Sequence, residues 1–207
     1  MSEPDDVRYG VFLVPDARTS AAVTEIASYV RAQFGLVSAS RFPPHVTLAG
    51  SLPLAVGEDE LLTVVQVAAE SHGPVHLTNS GVRRLGDAVI VFDVHHTDRR
   101  QPNLPLVQLA VDVGDAVRPL LGPCQQLVPD IRNRESWRGH LSLASHELLD
   151  RPDLRDEVQE FIEQLEVPYP ASFVAARLGV YRMHHRDWSQ GWWRDFTWEH
   201  VQSVRLG

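Results

Sequence analysis

The 207-residue chain has no lysine: all 19 of its basic residues are arginine. This excludes a Schiff-base or nucleophilic lysine and the lysine of a phosphate-binding P-loop. Most nucleotide-activating and nucleotidyl-transfer chemistry is excluded with them. Cysteine occurs once, at Cys124. An internal disulfide and a CxxC redox or zinc site are therefore ruled out, and the residue reads as a small apolar side chain. No apolar run approaches the roughly 18 residues of a membrane helix. The opening MSEPDD has neither the basic nor the apolar region of a signal peptide, so a cytoplasmic protein is expected. HELLD at 146–150 begins like HExxH but lacks its second histidine.

What is present suits a globular protein. Apolar residues make up 43% and charged residues 22%, enough for one good-sized core or two small lobes sharing one. The net charge of −8 would repel a long phosphate backbone over most of the surface. Duplex DNA is therefore not an expected partner, nor is a membrane, and a monomer is expected. A small phosphate can still be held in a locally positive cleft.

Residues 7–14, VRYGVFLV, read as a buried strand stopped at Pro15-Asp16. Ala22, Val23, Ile26, Ala27, Val30 and Phe34 form a helical stripe over 17–34, ended by Gly35. A short strand over 45–50 follows Pro43-Pro44. A helix over 58–71, opened by Glu58, Asp59 and Glu60, and a strand over 75–85 come next. The order then repeats. A strand over 88–95 precedes a weakly helical stretch over 104–121, interrupted by Gly114 and Pro119, and an irregular stretch over 122–137. A strand over 140–144 and an amphipathic helix over 152–166 follow. Strands over 171–183 and 193–206 close the chain, joined by a turn near 189–191. The pattern β-α-β-α-β thus occurs twice, over about 7–85 and 88–183, with 193–206 as a C-terminal hairpin strand. The expected fold is α+β and bilobal: one domain over 1–207, of two pseudo-symmetric lobes. Mostly antiparallel sheets line a central cleft and helices lie outside.

Two short segments carry the chemistry. His45-Val46-Thr47-Leu48 and, 95 residues later, His140-Leu141-Ser142-Leu143 share one pattern: His, apolar, hydroxyl, apolar. Average composition gives that sequence after a histidine only about one time in a hundred. Here it occurs twice, at matching places in the repeat. Side chains on a strand alternate faces, so Val46, Leu48, Leu141 and Leu143 point to the cores. His45 and Thr47 share the opposite face, as do His140 and Ser142. Facing lobes would bring two imidazoles and two hydroxyls to one cleft.

This pair of motifs resembles that of the two-histidine (2H) phosphoesterases, whose bacterial members are called 2′-5′ RNA ligases or RNA 2′,3′-cyclic phosphodiesterases. The likeness extends over nearly the whole chain, because the order of elements also fits. Two departures stand out: Ser142 replaces the more usual threonine, and Ala49-Gly50-Ser51 stands where many members carry a phenylalanine. The resemblance implies metal-independent hydrolysis of 2′,3′-cyclic phosphates of nucleotides or RNA ends, with no cofactor. Two histidines can serve as an acid–base pair, and Thr47 and Ser142 can hydrogen-bond the phosphate oxygens. The acid and the base remain interchangeable at this level.

Further candidates flank the motifs. Arg41 and Phe42 precede the first, and Trp137 and Arg138 the second. An arginine can neutralise a phosphate and an aromatic can stack on a base. In related proteins, residues placed like Tyr181 and Arg182 line the cleft, and Tyr9 on the first strand is a further candidate. Trp188, Trp192, Trp193 and Trp198 read as hairpin packing or as a stacking wall for a base. His95-His96 and His184-His185 diverge on strands and make no ready chelate. No carboxylate or cysteine stands at ligand spacing near His45 or His140, which counts against a metalloprotein. Other substrates fit the same scaffold: 2′-5′-linked or cyclic oligonucleotide signals, or ADP-ribose 1″,2″-cyclic phosphate. A non-catalytic RNA or nucleotide binder is the alternative of another class.

Overall fold

The computed structural model describes residues 7–87, 89–123, 137–188 and 191–207. In chain order the first half holds β1 (Val7–Val14), α1 (Ala17–Phe34), β2 (Val46–Leu52), α2 (Glu58–Glu70), β3 (Val75–Thr78) and β4 (Val82–Leu85). There follow β5 (Val89–Asp93), α3 (Leu104–Val117), β6 (His140–Ala144), α4 (Glu147–Asp150) and α5 (Arg155–Gln164). The chain ends in β7 (Ser172–Ala175), β8 (Arg177–His184) and β9 (Thr197–Arg205). Cys124, Ala88 and the expected turn at 189–190 lie outside the described residues, as does most of the irregular stretch over 122–137.

Local chemistry sets the element ends. The Asp16 carboxylate accepts the Thr19 N–H at 2.7 Å and caps α1, and Gly35 closes that helix at φ 73°. Asn103 caps α3, which runs through Gly114 without a break and stops before Pro119 in a 3-10 turn. The strand expected over 75–85 is two strands. Gly81, at φ 91°, and the Asn79 side chain, which accepts the Gly81 N–H at 3.0 Å, turn the chain between them. The expected 171–183 strand likewise breaks at Ala176. The expected 193–206 strand opens with a 3-10 turn at Trp192–Arg194, and the expected 152–166 helix with one at Pro152–Leu154.

The described strands form three antiparallel sheets: β2-β1-β8-β9, β4-β5-β6 and β3-β7. Sheets draw strands from both halves of the chain, since β8 pairs along all of β1 and β7 pairs with β3. α1 lies against β6 and α3 against β2. One apolar core joins Val11, Leu13, Val46 and Leu48 to Leu141 and Leu143, with Ile26 of α1 and Leu106 of α3. Each such side chain contributes about 1.5–3 kcal/mol by leaving water.

The other face of the four-stranded sheet carries an aromatic layer of Phe12, Tyr181, Met183, Trp188 and Phe196. Two glycines make room for its rings. Gly10 pairs with Tyr181 and Gly179 with Phe12. A methyl on Gly10 would stand 2.2 Å from the Phe12 ring, and one on Gly179 2.7 Å from the Tyr181 ring. Each ring therefore lies over bare backbone on its own strand. β2 is an edge of the first sheet, β6 an edge of the second, and the two edges meet. Among the described residues no helix is long and apolar enough to cross a membrane.

Candidate active site

The alternation of faces holds on both edge strands. Val46 and Leu48 are buried around Thr47, and Leu141 and Leu143 around Ser142, while the polar members are only half-buried. His45, Thr47, His140 and Ser142 together line one cleft of about 280 Å³. The indole N–H of Trp137 donates to the carbonyl of Thr47 at 3.1 Å and ties the approach to β6 onto β2.

Both histidines are held the same way. His45 Nδ1 lies 2.7 Å from the carbonyl of Pro43, and His140 Nδ1 lies 2.7 Å from the carbonyl of Arg138. A carbonyl only accepts, so each Nδ1 must carry a hydrogen. The basic lone pair of each neutral imidazole is therefore on Nε2.

Their surroundings differ. Phe12 and Phe42 stand edge-on to His45, with ring centroids 4.4 and 4.8 Å away. Desolvation there lowers the pKa of His45 to about 4; the Pro43 carbonyl opposes this and a charge on His140 adds to it. His140 is also lowered by desolvation, but the Arg138 carbonyl and the Asp93 carboxylate push the other way. Asp93 is its cross-strand partner on β5. That carboxylate is fixed by the His95 N–H at 2.9 Å and by His96 Nδ1 at 2.7 Å. The second histidine thus has an anion beside it where the first has aromatic rings.

The flanking candidates divide. Phe42 lines the cleft. Tyr181 belongs to the aromatic layer, 9% exposed, with its ring 4.9 Å from Phe42, and does not line the cavity. Tyr9 and Arg182 face away. They are register partners one position out of phase with Gly10, Phe12, Tyr181 and Met183, so strand alternation puts them on the opposite side. There Arg182 makes a two-pronged pair with Glu58, at 2.8–3.0 Å. Arg41 is exposed, and its carbonyl accepts the indole N–H of Trp198. The Arg138 guanidinium is exposed and donates to the carbonyl of Trp137. Neither arginine lines the cavity, and no arginine does among the described residues. Of the tryptophans at 188, 192, 193 and 198, Trp192 and Trp193 line the cleft. Among the described residues no group of three or more His, Cys, Asp or Glu is placed to hold a metal ion.

Sequence reasoning missed His146, Ser51 and Ser38, which also line the cleft. A signal existed. Ser51 lies six residues after His45 and His146 six after His140, so they occupy matching places beyond the two motifs. Ser51 adopts φ 54°, a left-handed conformation uncommon for a residue with a Cβ. Ser38 is fixed by Glu147, whose carboxylate accepts the N–H groups of Val37 and Ser38 at 2.7 and 2.8 Å and the Ser38 hydroxyl.

Comparison with known proteins agrees with this architecture. A family model described as the 2′-5′ RNA ligase superfamily matches residues 15–187. No curated protein sequence matches the chain. Among solved structures, TT0787 of Thermus thermophilus is similar in fold, at TM-score 0.60 and 15% identity over 96% of this chain and 97% of that one. E. coli LigT in apo form gives 0.53 and 15% identity over 96% of each chain. LigT complexed with NADP+ gives 0.52 and 16% identity over 99% of each.

Proposed function

Because the chain belongs to the 2′-5′ RNA ligase superfamily, we propose that it is a phosphodiesterase that opens 2′,3′-cyclic phosphates of nucleotides or RNA ends by histidine acid–base chemistry. The observation that carries this is one cleft holding two imidazoles, each with Nδ1 tied to a carbonyl, beside two hydroxyls. Nε2 of His45, kept neutral by its rings, takes a proton from water as the water oxygen bonds to phosphorus. His140 acts in its protonated form, which the Asp93 carboxylate favours against desolvation, and donates from Nε2 to the ribose oxygen as its bond to phosphorus breaks. A bound phosphodiester anion raises the pKa of both imidazoles and so favours the protonated form of His140. Thr47 and Ser142 hydrogen-bond the non-bridging oxygens, where negative charge grows. Exchange with solvent then returns the proton to His140 and removes it from His45.

The size of the cleft favours a nucleotide over a long strand. E. coli LigT, which shares the fold, is complexed with 3′-AMP in one structure and with phosphate in another. The test is hydrolysis of the four nucleoside 2′,3′-cyclic phosphates in EDTA, with the released 2′- or 3′-monophosphate identified. Turnover in EDTA that is lost in both His45→Ala and His140→Ala is expected. Turnover abolished by EDTA, or retained in both variants, overturns the reading.

A further inference from the structure

A third imidazole lines the cleft and has no part in that reaction. His146 stands just past the end of β6, with one face stacked on Trp193 at 4.9 Å and 25° between planes. Trp192 meets it edge-on at 5.2 Å. Among the described residues nothing hydrogen-bonds its ring nitrogens. The neighbouring Glu147 carboxylate is taken up by Val37 and Ser38. Burial lowers the pKa of His146, with Glu147 opposing, so the ring is neutral near pH 7 and offers one donor and one acceptor. With no arginine lining the cleft among the described residues, a second phosphate finds no fixed cation here. A neutral imidazole set against indoles instead suits a flat, uncharged heterocycle, which has a π face to stack and an edge of alternating donors and acceptors.

We infer that His146, held on Trp193, is a specificity-determining residue that reads the base of a nucleotide whose phosphodiester lies between His45 and His140. The placement of the phosphodiester rests on the proposed phosphodiesterase activity; the reading of the base is tested separately.

The test uses the four nucleoside 2′,3′-cyclic phosphates and glycerol 1,2-cyclic phosphate, which has the same reactive ring and no base. Wild type, H146F and H146A are compared after thermal melts confirm folding. In the wild type, kcat/KM for the preferred nucleoside exceeds that for the glycerol compound by about tenfold or more. H146F keeps a flat ring but no ring nitrogen, so it narrows the spread among the four bases. H146A lowers the nucleoside-to-glycerol ratio by about tenfold. Equal ratios and equal spreads in all three proteins overturn the inference and leave the phosphodiesterase standing. If the wild type turns over neither class, the phosphodiesterase reading fails. Calorimetric affinities for the four nucleoside 3′-monophosphates then decide: a loss of about fivefold or more in H146A supports the inference, and equal affinities overturn it.

Discussion

Removing the ring of Phe42 should move the acid limb of the pH–rate profile. The profile of kcat/KM reports the free enzyme. The proposed reaction needs His45 neutral, and its pKa of about 4 places the expected wild-type acid limb there. Phe42 is half-buried in a loop, edge-on to His45 at 4.8 Å, so Phe42→Ala admits water to the imidazole without cutting into the main core. If the ordinary value of 6.5 were fully restored, the neutral fraction at pH 5 would fall from about nine-tenths to about one-thirtieth. At pH 7.5 it would change by less than about twofold. Phe12, still edge-on at 4.4 Å, keeps part of the desolvation. The ratio of kcat/KM at pH 5 to that at pH 7.5 should therefore drop by between about threefold and thirtyfold. Any weakening of substrate binding by the missing ring affects both pH values alike and divides out. The assay is initial-rate hydrolysis of a 2′,3′-cyclic phosphate from pH 4 to 8, with an NMR titration of the His45 ring proton assigned by its loss in His45→Gln. A wild-type limb near 6.5, or an unchanged ratio in Phe42→Ala, refutes the reasoning.

Other outcomes follow from the same geometry. His45→Ala and His140→Ala should each lower kcat by about a hundredfold or more, and Thr47→Val and Ser142→Ala by about tenfold to a hundredfold, with circular dichroism unchanged. Asp93→Asn removes the charge that supports the proton on His140, so the alkaline limb of kcat/KM should move to lower pH; an unmoved limb refutes that role. Acid should also weaken the fold. His45, His140 and His146 all have folded pKa values below that of the unfolded chain, which therefore binds more protons over this interval. Stability falls as pH drops below about 6.5, and for His45 this continues to about 4. Melting temperature should decline from pH 7.5 to 4.5, and the decline should be shallower in a triple variant with glutamine at all three positions.

The motif pair was legible because it combines two independent periods: alternation of faces within a strand, and recurrence of the strand in the chain. Val46 and Leu48 against Thr47, and Leu141 and Leu143 against Ser142, needed only the first. Tyr9 and Arg182 show where this runs out. A strand's period says which residues share a face, not which face meets the cleft, and the aromatic layer chose the phase of Gly10 and Phe12. Sheet membership was similarly hidden. Nothing local distinguishes the end of β7 from the start of β8, yet the single residue Ala176 separates strands of two sheets. Gly114 looked like a break in the 104–121 helix, but buried neighbours on both sides carry α3 through it. His146 escaped because it follows the strand instead of lying on it, so alternation says nothing of its direction.

The meeting of two sheet edges explains why the reactive groups sit where they do. An interior strand has neighbours hydrogen-bonded on both sides, whereas an edge leaves one side open for an approaching molecule. β2 and β6 are both edges, and each has its histidine where the strand begins. Pairing β2 directly with β6 would close the cleft. Trp137 instead takes the Thr47 carbonyl with its indole N–H, which satisfies one acceptor of the open edge at the width of a side chain. The segments before the strands prepare the histidines. Pro43-Pro44 fixes the first approach. Gly139 lets the second pass within reach of Leu106, whose methyl would stand 2.7 Å from any added Cβ. In both, the carbonyl two residues before the histidine turns back onto Nδ1. The same local device, used once in each half, fixes Nδ1 of both rings at opposite edges, and among the described residues no carboxylate hydrogen-bonds either ring. What distinguishes the two histidines is then left to their neighbours, aromatic rings for His45 and Asp93 for His140.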